Sequence, residues 1–160
     1  MAGIRLVEPQ LMHLTLHYIG EADIEPMATA LQTVAVPAFT MTLEGVKQFP
    51  PAGKAAILWV GVQDKPELQR LHAAIAAALA GTGFRPEARR YTPHLTLARC
   101  APSVPASVVA GFLARHAAFS LAGVPVTAFV LFSSRVVDDA RVYRRERTFP
   151  LLAADGIPAA

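Results

Sequence analysis

A tetrapeptide, His-Leu-Thr-Leu, occurs twice in the chain, at His13–Leu16 and at His94–Leu97. Both copies lie in segments whose polar and apolar residues alternate, which predicts β-strands over residues 11–18 and 92–99. Side chains point to opposite faces in turn along a strand, so the histidine and threonine of each copy share one face and the two leucines share the other. The leucine faces suit a hydrophobic core. We therefore expect both copies to present an imidazole and a hydroxyl to one common space.

The similarity between the two regions extends beyond the tetrads. A predicted helix follows each copy, and then Ala38-Phe39-Thr40 and Gly45-Val46 return as Ala118-Phe119-Ser120 and Gly123-Val124. The distance from histidine to phenylalanine is 26 residues in the first half and 25 in the second. Four shared residues alone could be chance, but the same order of helix and strand after each copy indicates a duplication. Duplicated halves predict a pseudo-twofold arrangement, with equivalent strands side by side or facing.

The remaining elements follow from hydrophobic periodicity and from capping residues. Asp23, Asp64 and Ser103 are the predicted N-caps, and Glu67 would complete a capping box with Asp64. Predicted helices cover residues 23–35, 64–80 and 103–116, and further strands cover residues 38–45, 55–62, 119–122, 126–134 and 141–149. A strand and a helix precede the second tetrad, but only twelve residues precede the first, so the first half is expected to lack its leading strand–helix unit. We expect one domain over residues 1–160, with a flexible tail from about residue 153.

Composition excludes several classes of protein. Hydrophobic residues make up 53% and charged residues 17% of the 160 residues, which is typical of a globular chain rather than a disordered one. No apolar run approaches the roughly 18–20 residues that cross a bilayer. The N-terminus lacks a basic region followed by an apolar core, so we expect no secretory signal. A single cysteine, Cys100, excludes an internal disulfide and suits the reducing cytoplasm. We expect a cytoplasmic protein with no membrane contact and no obligate protein partner.

Two histidines on facing elements suit the hydrolysis of a phosphodiester. One neutral imidazole takes a proton from the attacking water, and one protonated imidazole gives a proton to the leaving oxygen. The hydroxyls of Thr15 and Thr96 are suited to bind the non-bridging phosphate oxygens, and Arg99 follows on the second strand to offset developing charge. We therefore predict His13 and His94 as catalytic residues and expect no metal or other cofactor.

Several other residues have more than one interpretation. His17 would share the face of His13 on a regular strand, which favours a substrate contact over a metal site formed with His13, because the segment does not resemble a metallopeptidase helix. Phe49 ends a strand and could line the groove or stack on a base, whereas Trp59 lies in a strand typical of a core. The net charge of +3 favours an anionic ligand. Two groups of arginines would either attract phosphates or solvate a strand: Arg85, Arg89, Arg90 and Arg99, and Arg141, Arg144, Arg145 and Arg147.

At these residues the sequence resembles the 2H phosphoesterase superfamily, and within it the RNA 2',3'-cyclic phosphodiesterases, also known as 2'-5' RNA ligases. The segments Glu8–Glu21 and Tyr91–Arg99 resemble the two signature motifs of the family. The resemblance covers nearly the whole chain and includes the intervening and closing segments Phe49-Pro50, Leu58–Val62, Leu131–Arg135 and Tyr143–Leu151. Members usually begin with an apolar strand and a helix, which this chain is expected to lack, and an exposed sheet edge would result.

The resemblance implies a bilobal α+β fold, with antiparallel sheets lining a central groove and helices outside. It also implies metal-independent hydrolysis of a terminal 2',3'-cyclic phosphate on RNA to a 2'-phosphate. By analogy His94 would be the general base and His13 the general acid, with Thr15, Thr96 and Arg99 holding the phosphate. Two alternatives stay open: a related enzyme acting on a small cyclic nucleotide, and a non-catalytic module that binds RNA ends.

Overall fold

The computed structural model describes residues 2–49, 56–63, 65–88, 90–137 and 140–154. Asp64, predicted as an N-cap, and most of the predicted flexible tail lie outside the described residues. The helices are α1 (Ile24–Leu31), α2 (Pro66–Leu79) and α3 (Ala106–His116). The strands are β1 (Ile4–Leu6), β2 (Phe39–Phe49), β3 (Ala56–Val62), β4 (His94–Cys100), β5 (Ser120–Val126), β6 (Ala128–Val137) and β7 (Ala140–Pro150). The α+β class predicted from the sequence is thereby confirmed.

The chain folds into two compact units. The first contains Met1–Leu16, Met41–Asp64 and Arg89–Val124, and the second contains His17–Thr40, Lys65–Ala88 and Pro125–Ala160. Both tetrads belong to the first unit. Among the described residues, no helix is long and apolar enough to cross a membrane.

The first unit is built on a five-stranded sheet in the order β1-β4-β3-β2-β5. The pairings of β1 with β4, of β4 with β3 and of β3 with β2 are all antiparallel. One face of the sheet packs against α3 through a cluster of buried residues: Leu58, Ala98, Cys100 and Val109, with Ile4, Ala56, Val104 and Leu113 against them. The side chain of Cys100 is only 1% exposed, which gives the single thiol a role in the core.

The strand predicted over residues 11–18 is wrong in its extent. Residues Pro9–Leu11 form one turn of 3-10 helix, and within residues 11–18 only Leu14 joins the sheet, through an isolated antiparallel bridge to Leu95. The reason is that β1 and the first tetrad share one edge of β4, the edge that does not pair with β3. Strand β1, which the sequence analysis did not predict, occupies that edge as far as Val7, whose N–H donates to the carbonyl of Leu97 (2.8 Å). Only the first residues of β4 are left for the tetrad.

The structure supports the internal repeat. Strands β2 and β5, which begin at or next to the equivalent residues Phe39 and Phe119, are neighbours in the sheet. The equivalent glycines have left-handed backbones, with φ of 62° at Gly45 and 73° at Gly123. Glycine adopts this conformation without a steric penalty, and Gly45 uses it at a β-bulge between Glu44 and Val46. The two halves therefore share backbone geometry as well as sequence.

The second unit combines α1 and α2 with the antiparallel hairpin of β6 and β7. Apolar faces of the two helices are buried, and their buried residues are Met27, Ala28, Leu31, Leu68, Leu71, Ile75 and Leu79. Phe129 and Phe149 stack across the hairpin with ring centroids 4.9 Å apart. This unit thus has its own hydrophobic core.

The helix boundaries depart from prediction at two caps. Helix α1 begins after Asp23 as expected, although the side chain of Asp23 makes no capping hydrogen bond, and it ends at Leu31 rather than near Ala35. Helix α3 begins after Pro105, not after Ser103. The ring of Pro105 disfavours the helical conformation for the residue before it, so the helix cannot start earlier.

Substitution of Gly61 by alanine tests the close approach of β3 to the bulge in β2. A Cβ atom at Gly61 would lie 2.8 Å from the carbonyl oxygen of Glu44 and 3.6 Å from the indole of Trp59. We expect Gly61→Ala to lower the free energy of unfolding by about 1–3 kcal/mol, because the backbone must shift. Gly111→Ala in α3 is the matched control, since no described atom beyond its chain neighbours and its own helix backbone lies within 4 Å of its Cβ position. That change is expected to stabilise the helix by about 0.5–1 kcal/mol. Equal urea denaturation midpoints for the two variants would contradict the account.

Candidate active site

The bridge between Leu14 and Leu95 brings the two tetrads together in antiparallel orientation. An antiparallel pairing sets the residue after Leu14 against the residue before Leu95, so Thr15 lies toward His94 and, equally, His13 lies toward Thr96. Because the two leucines share one face, the four flanking side chains share the other. Exposure agrees with this geometry, as His13 and Thr15 are exposed while Leu14 is half-buried. The two predicted catalytic pairs are therefore related by a local pseudo-twofold axis through the leucines.

The two imidazoles are held in the same way. The Nδ1–H of His13 donates to the carbonyl of Leu11 (2.8 Å), and the Nδ1–H of His94 donates to the carbonyl of Thr92 (2.7 Å). In each case the acceptor is two residues before the histidine. A carbonyl oxygen only accepts, so Nδ1 carries a proton and Nε2 is the basic nitrogen of the neutral ring. The sequence repeat thus extends to the tautomer, with the proton on Nδ1 in both neutral rings.

Aromatic side chains fix the ring of His94. Phe49 meets it edge-on with centroids 4.9 Å apart, and Trp59 meets it at 5.6 Å. Phe49 and Trp59 stack on each other at 4.9 Å, and the ammonium of Lys47 lies 5.6 Å from the centre of the indole. Trp59 is 7% exposed, and its Nε1 has no hydrogen-bond partner among the described residues. Phe49 and Trp59 therefore support the histidine, a role for which Trp59 was not singled out in the sequence.

A β-bulge brings Arg99 to the face of the histidines. On a regular strand Arg99 would point away from His94 and Thr96, because it is an odd number of residues from both. Across β3, however, Leu58 pairs with Ala98 and the next residue, Trp59, pairs with Thr96, which makes Leu97 an extra residue. The bulge reverses the alternation. Ala98 and Cys100 enter the core, and the exposed Arg99 joins the face of Thr96.

Tyr91 ties the two motifs together through the backbone. Its hydroxyl donates to the carbonyl of Thr15 across 3.2 Å. Burial raises the pKa of Tyr91 above its ordinary value, so the phenol stays protonated and able to donate throughout the physiological range. This contact holds the first tetrad beside the second where the ladder of sheet hydrogen bonds is short. The motif that contains Tyr91 was predicted, but its positioning role was not.

His17 and the C-terminal arginines lie in the second unit. The ring of His17 stacks on that of His72 with centroids 3.9 Å apart, and it is hydrogen-bonded to the carbonyl of His72 (2.8 Å). The predicted substrate contact through His17 rested on a regular strand, which the structure does not form. Among the arginines, Arg145 lies over Phe132 and Arg147 pairs with Glu25 (3.0 Å). The side chain of Arg141 and residue Arg89 lie outside the described part of the chain.

Positive charge is concentrated in the first unit. The sequence places seven lysines and arginines but only three aspartates and glutamates in this unit, a net charge of +4 with neutral histidines. The second unit has eight basic and nine acidic residues, a net charge of −1. The excess that makes the protein basic thus accompanies the two tetrads, as expected for a site that binds an anion.

Known proteins are similar to this chain in sequence and in fold. Residues 6–138 match the sequence model of the 2'-5' RNA ligase superfamily. An RNA 2',3'-cyclic phosphodiesterase of Archaeoglobus fulgidus is 30% identical over 152 residues, covering 93% of this chain and 85% of the relative. A protein of the same name from Aeropyrum pernix is 35% identical over 101 residues, which span 60% of this chain and 57% of the relative. The crystal structure of E. coli LigT in its apo form superimposes with a TM-score of 0.70 at 25% identity, over 93% of this chain and 81% of LigT.

The match over most of the chain shows that the protein belongs to the 2'-5' RNA ligase superfamily. The resemblance inferred from the two tetrads is therefore confirmed. So is the 2H phosphoesterase fold, which the superposition shows independently of the motifs.

The stacked histidines of the second unit predict a loss of stability in mild acid. Burial, and after it the neighbouring His17 imidazole, holds the pKa of His72 below its ordinary value of 6.5. The unfolded chain then binds the proton more tightly, so stability is complete above that ordinary value and falls as the pH drops toward the folded pKa. We expect the free energy of unfolding to decrease from pH 7 to pH 5 and this slope to flatten in His72→Gln. His116→Gln, on α3, is the control. An unchanged slope in the His72 variant would contradict the assignment.

Proposed function

We propose that the protein hydrolyses the terminal 2',3'-cyclic phosphate of RNA to a 2'-phosphate, using His13 and His94 as acid and base. The observation that carries the proposal is the antiparallel pairing of the tetrads, with both imidazoles fixed through Nδ1. Two basic nitrogens on one face of one unit are what the opening of a cyclic phosphodiester needs. The names of the relatives and the charge of the first unit support the same substrate class.

In the proposed reaction, water attacks the phosphorus of the cyclic phosphate. Nε2 of His94 takes a proton from the water, and its oxygen forms a new bond to phosphorus. The bond between phosphorus and the 3'-oxygen breaks, and Nε2 of the protonated His13 gives its proton to that oxygen. The product has a 2'-phosphate and a 3'-hydroxyl, and both imidazoles return to their starting states by exchange with solvent. The direction of transfer is our hypothesis, since the two halves of the site are nearly equivalent.

The remaining site residues stabilise charge on the phosphate. In the proposed site the hydroxyls of Thr15 and Thr96 donate to the non-bridging oxygens, whose negative charge grows in the transition state. The guanidinium of Arg99 offers two parallel donors to the same oxygens. Phe49 presents an aromatic edge to His94 and is half-buried, so its accessible part is suited to contact the terminal nucleoside. This division leaves proton transfer to the two imidazoles alone.

Substitution of either histidine tests the mechanism. We expect His13→Ala and His94→Ala each to lower kcat on an RNA oligonucleotide ending in a 2',3'-cyclic phosphate by about 10²–10⁴-fold, the usual contribution of one acid or base. The assay contains EDTA, because the proposal involves no metal. The product is identified as a 2'-phosphate by its resistance to a 3'-specific phosphatase. His116→Ala, on α3 in the same unit, is the matched control and should retain full turnover.

Three outcomes separate the alternatives. Wild-type turnover of the oligonucleotide together with inactive histidine variants supports the proposal. Turnover confined to mononucleotides would favour an enzyme of the same family for small cyclic nucleotides. Salt-sensitive binding of the oligonucleotide without turnover would favour a module that binds RNA ends. Normal activity in either histidine variant would overturn the two-histidine mechanism.

A further inference from the structure

Arg5 lies next to Arg99 on the face of the sheet that bears the histidines. In the pairing of β1 with β4, Arg5 is directly opposite Arg99, and its neighbour Ile4 is opposite Cys100. Ile4 packs against the buried cluster on the α3 side, so Arg5 must point to the other face. Both arginines are exposed. The sequence analysis gave Arg5 no role, because it did not predict β1.

The two guanidinium groups have no acidic partner in the described part of the chain. No ion pair there involves Arg5 or Arg99. Glu8, the acidic residue nearest to Arg5 in sequence, accepts a hydrogen bond from the side-chain amide of Gln10 (2.5 Å). Like charges on directly opposite strand positions destabilise a sheet. The cost disappears if an anion binds between or beside them, and arginine binds phosphates with two parallel hydrogen bonds. The arrangement is therefore one that a phosphate ligand stabilises.

Arg5 and Arg99 extend the face of the histidines along the strands beyond the tetrads. Arg99 is three residues beyond Thr96 on β4, or roughly 10 Å along the strand before the bulge is taken into account. Arg5 is opposite Arg99, and Leu14 of the first tetrad lies further along the same edge of β4, so Arg5 is displaced from His13 by a similar distance. Two adjacent guanidinium groups at that distance can bind a second phosphate in addition to the one that reacts.

We propose that Arg5 binds the phosphodiester next to the cyclic end of an RNA strand, with Arg99 beside it. The inference rests on the proposed function for the identity of the ligand. A mononucleoside cyclic phosphate has no second phosphate, so Arg5 gives the enzyme a preference for strands of two or more nucleotides. The edge strand β1 thereby contributes to substrate selection as well as to the sheet.

Kinetics on two substrates test the proposal. We compare adenosine 2',3'-cyclic phosphate with the dinucleotide ApA ending in the same group, using wild type, Arg5→Gln, Arg5→Lys and Arg115→Gln. Arg5→Gln is expected to raise KM for the dinucleotide about tenfold, the loss expected for one exposed charged hydrogen bond, with kcat within twofold. The loss of kcat/KM for the dinucleotide should be at least five times any loss of kcat/KM for the mononucleotide. Arg115 is an exposed arginine on α3, which packs on the opposite face of the sheet. Its substitution should change neither KM nor kcat for either substrate.

Equilibrium binding tests the same contact without turnover. An oligonucleotide ending in a 2'-phosphate is titrated by fluorescence anisotropy over a range of salt concentrations. Loss of one phosphate contact reduces the slope of log affinity against log salt by roughly 0.7 for a single strand. We expect this reduction in Arg5→Gln and a retained slope with weaker affinity in Arg5→Lys, which keeps the charge but loses the paired donors.

The outcomes separate this inference from the proposed function. If Arg5→Gln lowers kcat/KM equally for both substrates, or keeps the wild-type slope of log affinity against log salt, then Arg5 does not bind a second phosphate. The two-histidine chemistry stands in either case. If wild type turns over neither substrate, the proposed function fails, and the binding experiment still decides whether Arg5 contacts the strand. Should Arg5→Gln unfold, a wild-type salt slope combined with unchanged affinity in Arg5→Lys would overturn the paired-donor contact.

Discussion

The antiparallel contact of Leu14 with Leu95 determines which groups the site contains, because it fixes the faces of four functional side chains at once. A shift of one residue in this register would turn His13 and Thr15 toward the core and expose the leucines. The contact is a single bridge, not a ladder, so other interactions must hold it. The partial burial of Leu14 and Leu95 and the hydrogen bond from Tyr91 to the carbonyl of Thr15 supply that support.

Strand β4 serves the core and the site together. The bulge at Leu97 separates the two functions. After the bulge the side chains still alternate between the α3 side and the open face, but even-numbered and odd-numbered residues have exchanged faces. As a result Ala98 and Cys100 are buried while Arg99 stays with His94 and Thr96. The same edge of β4 accommodates β1 and the first tetrad in succession, with a 3-10 turn between them. Arg5 and His13 therefore follow one another along β4, on either side of that turn.

Local patterns were sufficient to predict the tetrads, their faces, the three helices and most strands, because each depends on residues close in sequence. The repeat of Gly45 as Gly123 even corresponded to a shared left-handed backbone. Features that depend on how one strand pairs with another, distant in sequence, could not be predicted from local patterns. The length of the first tetrad strand depends on how much of β4 is left after β1 has paired, and the orientation of Arg99 depends on a register shift against β3. The contacts of His17 could not be predicted for the same reason, since they come from His72, 55 residues away.

A double-mutant cycle on the two histidines tests most directly whether the tetrads form one catalytic unit. Turnover of the RNA cyclic phosphate is measured for His13→Ala, His94→Ala and the double variant, with unfolding midpoints to show that all three fold. Groups that act as one unit are strongly non-additive. The account predicts that the double variant is no more than a few-fold slower than the slower single variant. Losses that multiply, so that the double variant combines both single effects in full, would show that the two histidines act independently and would contradict it.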